Sequence, residues 1–274
     1  MSDTERVRIY PADRGQMELK NITTKYLLRV MLHICVMAIM ACVLNKKGIT
    51  LGYDSVIGVV LIVLAGISSA FWGIVYQCKY NENNLLQIGK DFLGIKQSLK
   101  CYLIVLIFLL IVFGGTIFRG EFQAKSIWDP VLLFLKAIAF GGIEEIGWRY
   151  TFQPAMERIV AYVSAVILTF LFWGIWHLLF FYIDGSFVGG ISLLLFLLGL
   201  LTNCFILSAL YAYSGSLWIC VMTHALINAL SQITVPSQSS TDGHILAAVA
   251  VDVMLKAVCI ILAIRLYSYS KGRE

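Results

Sequence analysis

Six residues on three apolar stretches are the ones whose types and spacing could do chemistry. Within Gly141-Gly142-Ile143-Glu144-Glu145-Ile146-Gly147-Trp148-Arg149, two carboxylates and a guanidinium interrupt a run that otherwise reads as membrane helix. Each ionisable group at mid-bilayer depth costs about 2.5–3.5 kcal/mol on insertion scales, so three together require mutual neutralisation, chemistry, or both. On a helix Glu145 and Arg149 stand at i, i+4 and can pair, whereas Glu144 is about 100° round the barrel. One glutamate is therefore expected to be held and the other free. Phe172-Trp173-Gly174-Ile175-Trp176-His177 adds an imidazole from a second stretch. His224-Ala225-Leu226-Ile227-Asn228 adds another imidazole and an amide, four residues apart on one helix face. Polar groups in lipid must find partners, so Glu144, His177, His224 and Asn228 are expected to converge inside a bundle. The plain alternative is a structural ion cluster that glues helices together. A glutamate with two histidines is also a common ligand set for catalytic zinc, although there is no HExxH and each ligand comes from a separate stretch.

The elements that must position these groups are read from composition. The chain has 274 residues, of which 59% are hydrophobic and only 14% charged, with a mean hydropathy of +0.84. Soluble domains carry roughly 25% charged residues, so an integral membrane protein is expected. Apolar runs suggest spans at about 26–44, 55–78, 101–118, 130–153, 159–182, 190–212, 215–234 and 244–267. Eight spans use up the length and leave no room for a separate soluble domain. The first 25 residues are polar and mixed in charge, and read as a tail rather than a signal peptide.

Orientation follows from lysine and arginine. Arg6, Arg8, Arg14, Lys20, Lys25, Lys79, Lys90, Lys96, Lys100, Arg158, Arg265, Lys271 and Arg273 fall on one side, against Lys46, Lys47, Arg119 and Lys125 on the other. This asymmetry puts both termini in the cytoplasm. The net charge of +5 thus belongs to topology, and no nucleic-acid partner is expected. The seven cysteines are odd in number and lack a CxxC, so they read as packing residues. In the fourth span Asp129 is a candidate cap and Pro130 suits the first turn, while Gly141-Gly142 permits a kink and Pro154 marks an end or bend. Residues 150–158 could form a short interfacial helix. Arg29 is expected to snorkel, and Asp252 with Lys256 reads as a neutralising pair.

Glu144-Glu145-x-x-x-Arg149, then Trp173-x-x-x-His177, then His224-x-x-x-Asn228, in this order on late spans, resembles the CAAX protease and bacteriocin-processing (CPBP) family. These are intramembrane glutamic endopeptidases. The resemblance covers about residues 130–235. Two positions depart from the family pattern: Trp173 stands where Phe is usual, and Tyr150 follows the motif arginine where many relatives have Gly. Both read as changes to packing or cavity shape. The resemblance implies that Glu144 is the general base, holding and activating a water together with His177. It implies that His224 and Asn228 donate to the oxyanion, and that Glu145 and Arg149 support the helix geometry. It also implies a metal-free water, with zinc as the minority alternative.

The expected fold is thus an all-α membrane protein, a polytopic bundle of about eight transmembrane helices with a polar intramembrane cavity. Its parts would be a cytoplasmic tail (1–25), three helices (26–125), a CPBP-type catalytic core (126–235), and a last helix with a cytoplasmic tail (236–274). The expected function is endopeptidase cleavage of a membrane-associated peptide or protein, with no cofactor. The expected partners are that substrate and the lipid bilayer. The short loops suit a bacterial plasma membrane. The competing class is a non-catalytic immunity or regulatory scaffold that uses the same cavity to bind a partner. A transporter would show paired half-helices or internal symmetry, and neither is seen.

Overall fold

The computed structural model describes residues 15–118, 124, 126, 128–186, 190–233 and 242–272. Every regular element among them is helical. Arg6, Arg8, Arg14, Arg119, Lys125 and Arg273, which carry part of the orientation reading, lie outside the described residues.

Four helices are long and apolar enough to cross a membrane: α1 (Gln16–Lys46), α9 (Tyr162–Asp184), most of α10 (Gly190–Ser214) and most of α12 (Asp242–Lys271). A fifth crossing arises if α2 (Val56–Gly66) and α3 (Ser68–Tyr80), bent by 41° at the break between them, act as one. The chain is therefore a polytopic membrane protein. α5 (Leu99–Phe118) and α11 (Leu217–Ile233) contribute only shorter apolar stretches. The expected span at 130–153 is not one helix. It divides into α6 (Trp128–Phe140), a 3-10 turn (Gly142–Glu144), α7 (Glu145–Gly147), a π-helical turn (Trp148–Phe152) and α8 (Gln153–Glu157). The amphipathic α4 (Leu85–Phe92) lies between α3 and α5.

The chain forms two compact units. The first comprises Met1–Lys90 with Ile143–Leu200, and the second Asp91–Gly142 with Leu201–Glu274. In the first unit α1 packs on α3 and α9, and α3 packs on α7 and the π turn. Close approach there depends on two glycines. A β-carbon on Gly73 would stand 2.9 Å from the Ile146 carbonyl, and one on Gly147 would stand 2.6 Å from the Ser69 carbonyl and the Tyr26 hydroxyl. Any larger side chain would push α3 off the glutamate segment. Buried polar groups tie α1 and α9 to α3: Tyr26 donates to the Ser69 carbonyl at 3.3 Å, and Trp176 Nε1 donates to Ser68 Oγ at 2.8 Å.

In the second unit α11 packs on α6 and α5, and α12 packs on α5. Gly215 takes a positive φ of 62° and turns the chain out of α10, a conformation that glycine adopts without steric penalty. Ser216 Oγ then accepts from the Ile219 amide at 3.4 Å at the start of α11. Trp218 Nε1 donates to the Tyr102 hydroxyl at 3.2 Å, joining α11 to α5.

Three local expectations change. Asp129 lies inside the first turn of α6, where it accepts from the Ser126 amide, and Ser126 Oγ accepts from Trp128; the two side chains cap reciprocally. Pro154 does not end the helical path, because it occupies the first turn of α8, where its missing donor is harmless. Residues 150–155 are not an interfacial helix, since Tyr150, Thr151, Phe152, Gln153 and Ala155 are buried. Asp252 and Lys256 do pair. Arg29 lays its guanidinium 5.3 Å from the ring centre of Trp72.

Candidate active site

The glutamate segment changes its hydrogen-bond period four times between Phe140 and Gln153, from α to 3-10 to α to π and back to α. A π turn leaves backbone groups out of the i→i+4 ladder, and such turns persist where side chains take them up. Gln77, fully buried on α3, provides this. Its Nε2 donates to the Tyr150 carbonyl at 2.7 Å and to Thr151 Oγ1 at 3.1 Å, while its Oε1 accepts from Asn81 and Asn83 at 2.8 and 3.0 Å. Thr151 in turn donates to the Ile146 carbonyl at 2.8 Å. The segment carrying both glutamates is thus clamped from α3 by side chains and by glycine contact.

In the first unit Glu145 and Arg149 are both fully buried and pair as expected, with Arg149 Nε 3.5 Å from Glu145 Oε2. Their i, i+4 spacing survives into the π turn. Glu144 is 4% exposed and is not free, which corrects the sequence reading. Trp173 Nε1 donates to its Oε2 at 2.7 Å. A buried indole N–H needs an acceptor, and here the Glu144 carboxylate supplies it. Arg149 lies over the same indole, 4.2 Å from the ring centre. His177 stands one turn along α9 with its ring centre 5.4 Å from that of Trp173, and is walled by Trp176, Phe181 and Phe196 at 5.0–5.5 Å. Glu144 and His177 thus both touch Trp173.

In the second unit His224 is buried and Asn228 half-buried on one face of α11. Both reach the α-carbon of Gly141: a β-carbon there would overlap Asn228 Nδ2 and stand 3.3 Å from His224 Nε2. A β-carbon on Gly142 would meet Val221 Cγ1 at 2.8 Å. The Gly-Gly pair that reads as a kink site therefore also lets α11 bring its two polar side chains against bare backbone. Among the described residues no three His, Cys, Asp or Glu side chains gather into a metal-ligating group.

Residues 126–230 match the family described as Type II CAAX prenyl endopeptidase Rce1-like. That stretch contains Glu144, Glu145, Arg149, His177, His224 and Asn228. This stretch of the chain is Rce1-like. A second similarity is to CAAX prenyl protease 2 of Methanococcus maripaludis, 30% identical over 148 residues, covering 46% of this chain and 52% of that protein. The chain spans about half the length of this curated relative. The Rce1-like segment runs from the start of α6 to the last turn of α11, so it includes both the clamped glutamates and the His224–Asn228 face.

Three residues near these groups make contacts that the motif reading does not foresee. Trp173 was legible only as a packing variant, although a buried indole must find an acceptor. Gly141 was legible as a kink, without its role of making room for α11. Gln77 gave no signal of its own, although Pro154 leaves the Tyr150 carbonyl without an i+4 donor and so asks for such a partner.

Proposed function

We propose that the chain is an intramembrane endopeptidase, hydrolysing a peptide bond of a membrane-associated peptide or protein within or at the cytoplasmic side of the bilayer. One observation carries the reading. On a segment of the Rce1-like family, Arg149 pairs with Glu145 while Glu144 is buried and held by a neutral indole donor.

In this reading Glu144 takes a proton from a water that it holds together with His177, and the hydroxide so formed attacks the scissile carbonyl carbon. His224 and Asn228 donate hydrogen bonds to the oxyanion of the tetrahedral intermediate. The C–N bond breaks as Glu144 returns the proton to the leaving amine nitrogen, so one water is consumed and no net proton is exchanged. Eight crossings with both termini cytoplasmic belong to the same proposal: α1, α2–α3, α5, α6–α8, α9, α10, α11 and α12. The name of the Methanococcus relative, CAAX prenyl protease 2, makes a prenylated CAAX peptide the first substrate to test.

His224→Ala and Asn228→Ala are each expected to lower kcat about 10²–10³-fold with little change in KM, the usual loss for one oxyanion donor. The assay is cleavage of a quenched prenylated CAAX peptide in detergent, with and without chelator. Wild-type kcat in both variants would overturn the oxyanion assignment. Cleavage lost on chelation and restored by zinc would replace this mechanism with a metal-assisted one.

A further inference from the structure

The indole of Trp173 touches Glu144, Arg149 and His177 alike. Its N–H ends on Glu144 Oε2 at 2.7 Å, its face takes the Arg149 guanidinium at 4.2 Å, and its ring lies 5.4 Å from the imidazole of His177. Trp173 is fully buried, and its ring is further boxed by Trp148 at 6.3 Å. Helical spacing explains the double contact on α9, because Trp173 and His177 are i, i+4 and share a face. A cation against an aromatic face draws on the ring's electrons and strengthens the polarity of the N–H at its edge.

We propose that Trp173 is a positioning residue for Glu144: its N–H holds the carboxylate in the plane from which it acts as base, beside His177. This rests on the protease reading above and deepens it. Shape alone does not account for the contact. A phenylalanine would fill much of the same space between Trp148 and His177, but would leave Glu144 Oε2 without this donor in a site that is 4% exposed. The fixed carboxylate loses rotational freedom before substrate arrives, which lowers the barrier rather than tightening binding.

Two measurements test this. Trp173→Phe is expected to lower kcat about 10–100-fold, the value of one hydrogen bond to a charged group, with KM within about twofold. In protein labelled with 5-fluorotryptophan, which has six tryptophan sites, the ¹⁹F resonance missing from Trp173→Phe belongs to Trp173. That resonance is expected to move in Glu144→Gln, whose side chain offers a neutral acceptor in place of an anion. If it stays put in Glu144→Gln, the hydrogen bond is absent and the proposal fails, whether or not the protein cleaves peptides. If it moves but Trp173→Phe keeps wild-type kcat, the bond is structural only and the positioning role is overturned. If it moves while Glu144→Gln still cleaves at full rate, the protease reading has lost its base and the positioning role falls with it, although the contact stands.

Discussion

Glu144 and Glu145 are adjacent in sequence and buried alike, yet their surroundings differ, an indole N–H for one and a guanidinium for the other. Glu145 faces Arg149 in an ion pair with no exposed surface on either side chain. Removing one partner of such a pair leaves the other charge desolvated, a loss of about 3–5 kcal/mol. Glu145→Gln is therefore expected to lower the unfolding temperature sharply and to reduce the yield of folded protein, as followed by thermal melting in detergent. A melt unchanged from wild type would show that the pair contributes nothing to stability. At this scale the i, i+4 pairing was legible, because helical spacing alone decides it and the π turn that follows does not break the contact. The state of Glu144 was not legible, because its partner comes from α9, 29 residues along the chain.

The elements around these residues are irregular where the chemistry is proposed. Gly73 and Gly147 bring α3 against the glutamate segment, Gln77 takes up the Tyr150 carbonyl, whose i+4 residue is the donorless Pro154, and Gly141 receives Asn228 and His224. A methyl on Gly141 must displace the Asn228 amide, so Gly141→Ala is expected to cost about as much kcat as Asn228→Ala itself, roughly 10²–10³-fold. In the Asn228→Ala background the same change is expected to do little more, because neighbours that share one interaction are not additive. Full, multiplied losses in the double variant would show that the glycine acts elsewhere. Sequence patterning located helices by apolar content, so α1, α9, α10 and α12 were readable as spans. The stretch 130–153 was not readable in detail. Apolar content is the same for one long helix and for a helix broken at Gly141–Gly142 and wound into a π turn, and only contacts with α3 and α11 select the second.

At the scale of the whole chain, composition was decisive for the class. A charged fraction of 14% over 274 residues excludes a soluble domain of ordinary type, and the described helices agree. The order of the three motifs pointed to the family, and residues 126–230 match it. The activity proposed for the whole protein is peptide hydrolysis by Glu144-activated water, and one comparison meets it directly. Purified wild type and Glu144→Gln are incubated with a quenched prenylated CAAX peptide in detergent, with melting curves taken on both. We expect the wild type to cut the peptide and Glu144→Gln to lose at least about 10³-fold in kcat while melting within a few degrees of wild type. Turnover by folded Glu144→Gln at the wild-type rate would contradict the proposed mechanism.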